Sequence, residues 1–149
     1  MYEIYDKWPN IARKFYSENF DKVNFDGIDH IVFVGMGGSG TIGDIISAIL
    51  SKENIHVSVI KGYLLPKTVD SETLVVTTSV SGNTLETFSV LKNAHEKNFK
   101  TISFSSGGKI ENYCKQNQLE FYKIPIFHSP RASGRPVPGC IMGCGIQPG

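Results

Sequence analysis

The stretch Val32–Asp44, VFVGMGGSGTIGD, decides the fold. The apolar residues Ile31 to Val34 run into Gly35, Gly37 and Gly40, which have G-x-G-x-x-G spacing. Beyond them Ile42, Ile45, Ile46, Ile49 and Leu50 fall at i, i+3, i+4, i+7 and i+8. An apolar run without polar alternation reads as a strand buried on both faces, as in a parallel sheet. The isoleucine spacing is an apolar helix stripe. The passage is therefore strand, tight turn, helix. Its glycine spacing is that of the dinucleotide-binding fingerprint. The plainer alternative is a strand-to-helix turn that needs small residues.

The same alternation continues along the chain. Trp8 to Val23 has helical spacing, with Ile11, Phe15 and Val23 apolar and Pro9 in the first turn, where proline is tolerated. Val57–Ile60 and Leu74–Thr78 read as the second and third strands. Asn83 is placed to cap the next helix, with Glu86 three residues on, a variant of the capping box. Leu85, Phe88, Leu91 and Ala94 would supply that helix's buried face. Thr101–Ser105 is a fourth strand, Ile110–Gln116 a short helix, and Leu119–Ile124 an alternating fifth strand suited to an edge. Strands alternating with helices predict an α/β fold: a three-layer α/β/α sandwich around a five-stranded parallel, flavodoxin-like sheet. From Ser129 the chain is crowded with Gly, Pro and Cys and has no usable period. The expected organisation is one domain over residues 1–128 and an irregular tail over 129–149.

The glycine turn can be tested against what a dinucleotide needs. NAD requires an acid at the end of the second strand, about 20 residues on, to hold the ribose hydroxyl. That strand, HVSVIKGY, ends at Lys61, and Glu53 lies before it. NAD is disfavoured, whereas NADP tolerates a base there. Ser39 adds a hydroxyl aimed at whatever the turn binds. A second loop follows the third strand: Ser79-Val80-Ser81-Gly82-Asn83-Thr84. Hydroxyls, backbone N–H groups and a positive helix end make an anion site, and three hydroxyls in six residues suit three phosphate oxygens. A polar turn with an N-cap is the alternative. In the sheet order 2-1-3-4-5, strands one and three are neighbours and their helices leave on opposite faces. Both loops then line one crevice at the switch point, which favours a small phosphorylated polar ligand.

Composition narrows the field. The chain has 149 residues, 40% of them apolar, enough for a core. Fifteen basic and 14 acidic residues leave a net charge of +1, no electrostatic reason to expect nucleic acid or an anionic membrane. No apolar run approaches the roughly 18 residues of a membrane span. The N-terminal MYEIYDKWPN has no signal-peptide core. Three cysteines make no disulfide framework. A cytoplasmic protein is expected. Cys140, Cys144 and His128 do not assemble four metal ligands, so neither a metal nor a cofactor is expected. His30, His56 and His95 lie at element ends or on a helix surface.

Four segments in order, GMGGSGTIGD, GYLLP, SVSGNTLET and SPRAS, resemble the sugar isomerase (SIS) family of phosphosugar-binding domains. They are most similar to the N-terminal half of its bifunctional phosphoglucose/phosphomannose isomerases. The resemblance spans roughly Ile31 to Ser133. It implies that Ser79, Ser81 and Thr84 hold a sugar phosphate, and that Gly37, Gly38 and Ser39 contact the sugar. Arg131 would stabilise the enediolate formed between glucose or mannose 6-phosphate and fructose 6-phosphate, a role that suits a fixed guanidinium cation. Val80 stands where the family commonly has an aromatic residue. Such proteins continue into a second, similar domain carrying the base, and no position here matches it; Glu86 and Glu111 are the nearest acids. The expectation is an isomerase present as a single SIS domain without the second half, working as a homodimer or with a partner SIS domain. The alternative is a non-catalytic phosphosugar-binding module. A NADP-binding oxidoreductase is the third and weakest reading.

Overall fold

The computed structural model describes residues 27–124, together with Pro9, Asn10 and Arg13, which are helical. Eight elements follow: β1 (His30–Val34), α1 (Gly38–Leu50), β2 (His56–Ile60), β3 (Thr73–Ser79), α2 (Leu85–Glu96), β4 (Lys100–Ser105), α3 (Gly108–Asn117) and β5 (Glu120–Lys123). The strands form one sheet in the order β2-β1-β3-β4-β5, and every pairing is parallel. This is the flavodoxin-like order expected, with β5 at an edge. The expected helix over Trp8–Val23 otherwise lies outside the described residues. So do the tail, Arg131, His128, Cys140 and Cys144.

Successive strand residues face opposite sides, and the core divides accordingly. Ile31, Phe33, Leu74, Val76, Ile102 and Phe104 pack with Ile42 and Ile46 of α1 on one face. Val32, Val34 and Val75 pack with Val90 and Ala94 of α2 on the other. Ile110 and Cys114 bring α3 against Leu91 of α2. β1 and β3 are buried along their whole length; the apolar run Ile31–Val34 required this of β1, while β3 also buries Thr73, Thr77, Thr78 and Ser79. A fully buried aliphatic side chain contributes about 1.5–3 kcal/mol, so these two strands anchor the fold.

Two expected helix faces are rotated from where spacing put them. In α1 the buried positions are Gly40, Ile42, Gly43 and Ile46, while Ile45 and Ile49 are each 49% exposed. The glycines cause this. A Cβ on Gly43 would lie 2.8 Å from Phe33 Cβ, and one on Gly40 would lie 2.7 Å from the Gly35 carbonyl oxygen. The helix approaches β1 through its glycines, which turns half of the isoleucine stripe outward. In α2 the buried face is Thr87, Val90, Leu91 and Ala94. Leu85 is exposed and Phe88 half-buried. Leu85 sits two residues, about 200°, from Thr87 around the helix.

The N-terminal edge of the sheet carries a polar cluster. His30 is buried between Thr73 Oγ1 at 3.2 Å and Ser58 Oγ at 3.0 Å. His56 Nε2 lies 3.2 Å from the same Ser58 hydroxyl, and Thr73 Oγ1 donates to Asp70 Oδ1 at 2.9 Å. Burial, with the neighbouring His56, holds the His30 pKa below its ordinary value. This edge lies at the opposite end of the strands from the loops that carry the candidate site.

Candidate functional site

At the C-terminal edge, Val34 is paired with Thr77 of β3. The glycine turn after β1 and the serine loop after β3 therefore lie side by side. α1 leaves on one face of the sheet and α2 on the other, which opens the crevice between them.

The glycine wall is short. Gly37 is the N-cap of α1, with φ +55°, and Gly38, Ser39 and Gly40 form the helix's first turn rather than a separate loop. Gly37 and Gly38 are exposed and Ser39 half-buried. No side chain caps α1. Backbone bonds hold the turn: Gly35 N–H donates to Ile60 O at 3.2 Å, and Ser39 N–H to Met36 O at 3.1 Å. Lys61, the base that stood in place of a ribose acid, donates to Asp44 Oδ2 at 2.8 Å. Its charge is matched by the chain's own carboxylate.

The serine wall is denser. Ser79 Oγ and Thr84 Oγ1 are 2.8 Å apart, and Gly82 N–H donates to Ser79 Oγ at 3.2 Å. Ser81 Oγ accepts from Asn83 N–H at 3.2 Å. The structure thus brings Ser79, Ser81 and Thr84 together in one hydrogen-bonded turn. Thr84, not Asn83, is the N-cap of α2, and no side chain caps that helix, because the Thr84 hydroxyl is turned to Ser79. The first N–H groups of a helix have no partners within it and carry its positive end. Three hydroxyls lie beside them, an arrangement whose chemistry suits an anion.

Asn83 corrects the expected capping box. Its Oδ1 accepts from Lys109 N–H at 3.1 Å, in the first turn of α3. The reason is local. The N-cap of α3 is Gly107, which has no side chain to offer, so Asn83 reaches across from the neighbouring loop.

The turn from β4 into α3, Ser105-Ser106-Gly107-Gly108, was not anticipated from the sequence. It backs the serine loop. Ser106 donates through both N–H and Oγ to Val80 O, and Ile110 N–H donates to Gly82 O at 3.0 Å. Gly82 has φ +67°, and a Cβ there would lie 1.7 Å from Gly107 O. Four small residues at a strand-to-helix turn were the available signal. Thr78 and Thr87 are also at this end, with buried hydroxyls that have no partner among the described residues.

Among the described residues, Glu86 and Glu111 are the acids nearest in sequence to the serine loop and to the turn from β4 into α3. Glu111 accepts from Lys115 at 2.7 Å and from Lys123 at 3.3 Å. Those bonds, Lys115 first, hold its carboxyl below the usual range. Glu86 is half-buried in the first turn of α2. Among the described residues, no cluster of His, Cys, Asp or Glu could hold a metal, and no helix is long and apolar enough to cross a membrane.

Comparison with known proteins agrees with this geometry. The family model described as SIS domain matches residues 26–124. A bifunctional phosphoglucose/phosphomannose isomerase of Caldicellulosiruptor bescii is 38% identical over 112 residues, 74% of this chain and 33% of that protein. One from Aquifex aeolicus is 36% identical over 129 residues, 85% of this chain and 37% of that protein. The chain thus spans little more than a third of the length of these relatives. Among solved structures, the C-terminal domain of glucosamine-fructose-6-phosphate aminotransferase from Francisella tularensis superposes with a TM-score of 0.67 at 17% identity. The match covers 92% of this chain and 44% of that one.

Proposed function

Because the chain belongs to the SIS-domain family, we propose that its paired loops bind a hexose 6-phosphate and serve the interconversion of glucose or mannose 6-phosphate with fructose 6-phosphate. The observation that carries this reading is the start of α2. Its N-terminus has no side-chain cap, and Ser79, Ser81 and Thr84 gather there beside the glycine turn. In this reading the three hydroxyls and the first amides of α2 hold the phosphate. Gly37, Gly38 and Ser39 contact the sugar, where two exposed glycines let backbone approach carbon and hydroxyl alike. Arg131 neutralises the enediolate. Chemically, a base removes the C2 proton of the open aldose, the O2 proton is relayed to O1, and the C2 proton is delivered to C1. A fixed cation near O1 and O2 lowers that barrier. A cytoplasmic location, and a site completed by a second copy or a second SIS domain, belong to the same proposal. NADP is a poor fit, since Lys61 is already paired with Asp44.

A second reading, a phosphosugar-binding module that does not turn substrate over, is favoured by Glu111. Its pairing with Lys115 and Lys123 makes it a weak proton acceptor. Melting of the chain with fructose 6-phosphate, 5-phosphoarabinonate and NADP tests the shared claim. Sugar phosphates at 100 times Kd should stabilise by about 2.7 kcal/mol, and Ser81→Ala and Thr84→Ala should each cut this to about 1.4 kcal/mol or less at the same concentration. Stabilisation by NADP alone would refute it. An isomerase assay on the same chain then separates enzyme from binder.

A further inference from the structure

The serine loop turns three successive carbonyls away from the crevice, and each has an identified donor. Val80 O accepts from Ser106. Ser81 O accepts from Asn83 Nδ2 at 3.2 Å. Gly82 O accepts from Ile110 N–H. A carbonyl facing a bound phosphate would repel it, so the direction of these three dipoles matters to any anion. Two of the donors come from the segment after β4 and the start of α3, and Asn83 joins that segment to the loop. Its Nδ2 holds the Ser81 carbonyl and its Oδ1 takes Lys109 N–H. Its own N–H donates to Ser81 Oγ. One side chain thereby fixes Ser81 and fastens it to a second helix. The close seating of Gly82 on Gly107 and of Gly108 on Ser81 O, with gaps that admit no Cβ, leaves the two loops as one unit.

We propose that Asn83 is a positioning residue: its carboxamide clamps the serine loop to the N-terminus of α3 and presets Ser81 for the anion. The positive end of α3 is then spent on the loop's own carbonyl and amide oxygens, so of α2 and α3 only α2 offers its N-terminus to the phosphate. This rests on the phosphosugar reading for its ligand, but the clamp itself is testable without one.

The test uses the full chain and three variants. Asn83→Ala removes the whole clamp. Asn83→Asp keeps an acceptor for Lys109 N–H, and a carboxylate suits a helix N-terminus. It loses the donor to Ser81 O and places negative charge beside it. Asn117→Ala is a control at the other end of α3, where Asn117 Nδ2 donates to Tyr113 O at 2.8 Å. Amide exchange at Gly82 and Ile110 is expected to quicken in Asn83→Ala by about tenfold, the equivalent of one lost hydrogen bond of about 1.4 kcal/mol. Asn117→Ala should leave it unchanged. Fructose 6-phosphate affinity should fall by about tenfold in Asn83→Ala. It should fall at least as far in Asn83→Asp, whose melting temperature stays at or above wild type. Wild-type exchange at Gly82 and Ile110 in Asn83→Ala would overturn the clamp, as would equal loss of binding in Asn117→Ala. A wild-type chain that binds no sugar phosphate would instead sink the functional reading, and the exchange data would still decide the clamp.

Discussion

The two walls of the crevice are built in different ways. The glycine wall is a bare turn of backbone, with Gly37 and Gly38 exposed and few bonds beyond those of the helix it starts. The serine wall is a braced unit in which the Ser79, Ser81 and Thr84 hydroxyls, the loop carbonyls and the first amides of a neighbouring helix have partners. A polar hydroxyl-bearing sugar needs close approach and tolerates varied contacts, which bare backbone supplies. A compact dianion needs fixed donors and averted carbonyls, which only a braced loop supplies. The difference explains why glycine spacing alone is a poor guide to the ligand: it reports how close backbone can come, not which wall holds the charge.

Breaking the brace should have the largest effect. Gly82→Ala combines a positive φ with a Cβ 1.7 Å from Gly107 O. It should cost about 3 kcal/mol or more, read as a lower urea midpoint, and abolish sugar-phosphate binding. Next come the hydroxyls. Ser81→Ala and Thr84→Ala should each weaken fructose 6-phosphate by about 10- to 150-fold, the worth of a hydrogen bond to a charged group. Calorimetric titration measures this, and the melting temperature should move far less than in Gly82→Ala.

The N-terminal edge of the sheet gives a smaller effect, independent of ligand. His30 has a folded pKa below its unfolded value of about 6.5, so the unfolded chain takes up the proton first. The stability it supports is present above pH 6.5 and is lost as pH falls below it. Melting temperature should therefore drop on acidification through that window, with His56, Asp70 and Asp29 as the charged neighbours. His30→Gln should flatten the slope, and an unchanged slope would remove His30 as its cause. The smallest effect belongs to Lys61. Lys61 and Asp44 are about half exposed, and such pairs contribute at most about 1 kcal/mol. Lys61→Ala should shift melting by only a few degrees, roughly 4 °C or less, and leave fructose 6-phosphate affinity alone. A large loss of affinity would move the anion to the glycine wall.

Much of this was legible in the sequence. The apolar run Ile31–Val34 and the short strand read over Leu74–Thr78 placed the central strands, and their order put both loops at one switch point. The clustering of Ser79, Ser81 and Thr84 was readable from spacing because it is local. What spacing could not show was tertiary. Isoleucine periodicity placed Ile45 and Ile49 in the core, but Gly40 and Gly43 bring α1 so close to β1 that the helix turns. Asn83 and Glu86 had the pattern of a capping box, but the glycine at the start of α3 claimed Asn83. Both failures arose at glycines: in α1 they let the helix close on β1, and at the start of α3 Gly107 left an amide for Asn83 to satisfy. Val80, where the family commonly has an aromatic, packs partly buried against the core and leaves the hydroxyls undisturbed.

In the proposed function, one crevice holds the phosphate on its serine wall and the sugar on its glycine wall. NMR amide-shift mapping tests it most directly, with inorganic phosphate and fructose 6-phosphate titrated separately. Phosphate should perturb the amides from Ser79 to Glu86 and leave Gly37 to Ser39 still; fructose 6-phosphate should perturb both groups. Phosphate shifts confined to the glycine turn, with the serine loop silent, would contradict the account.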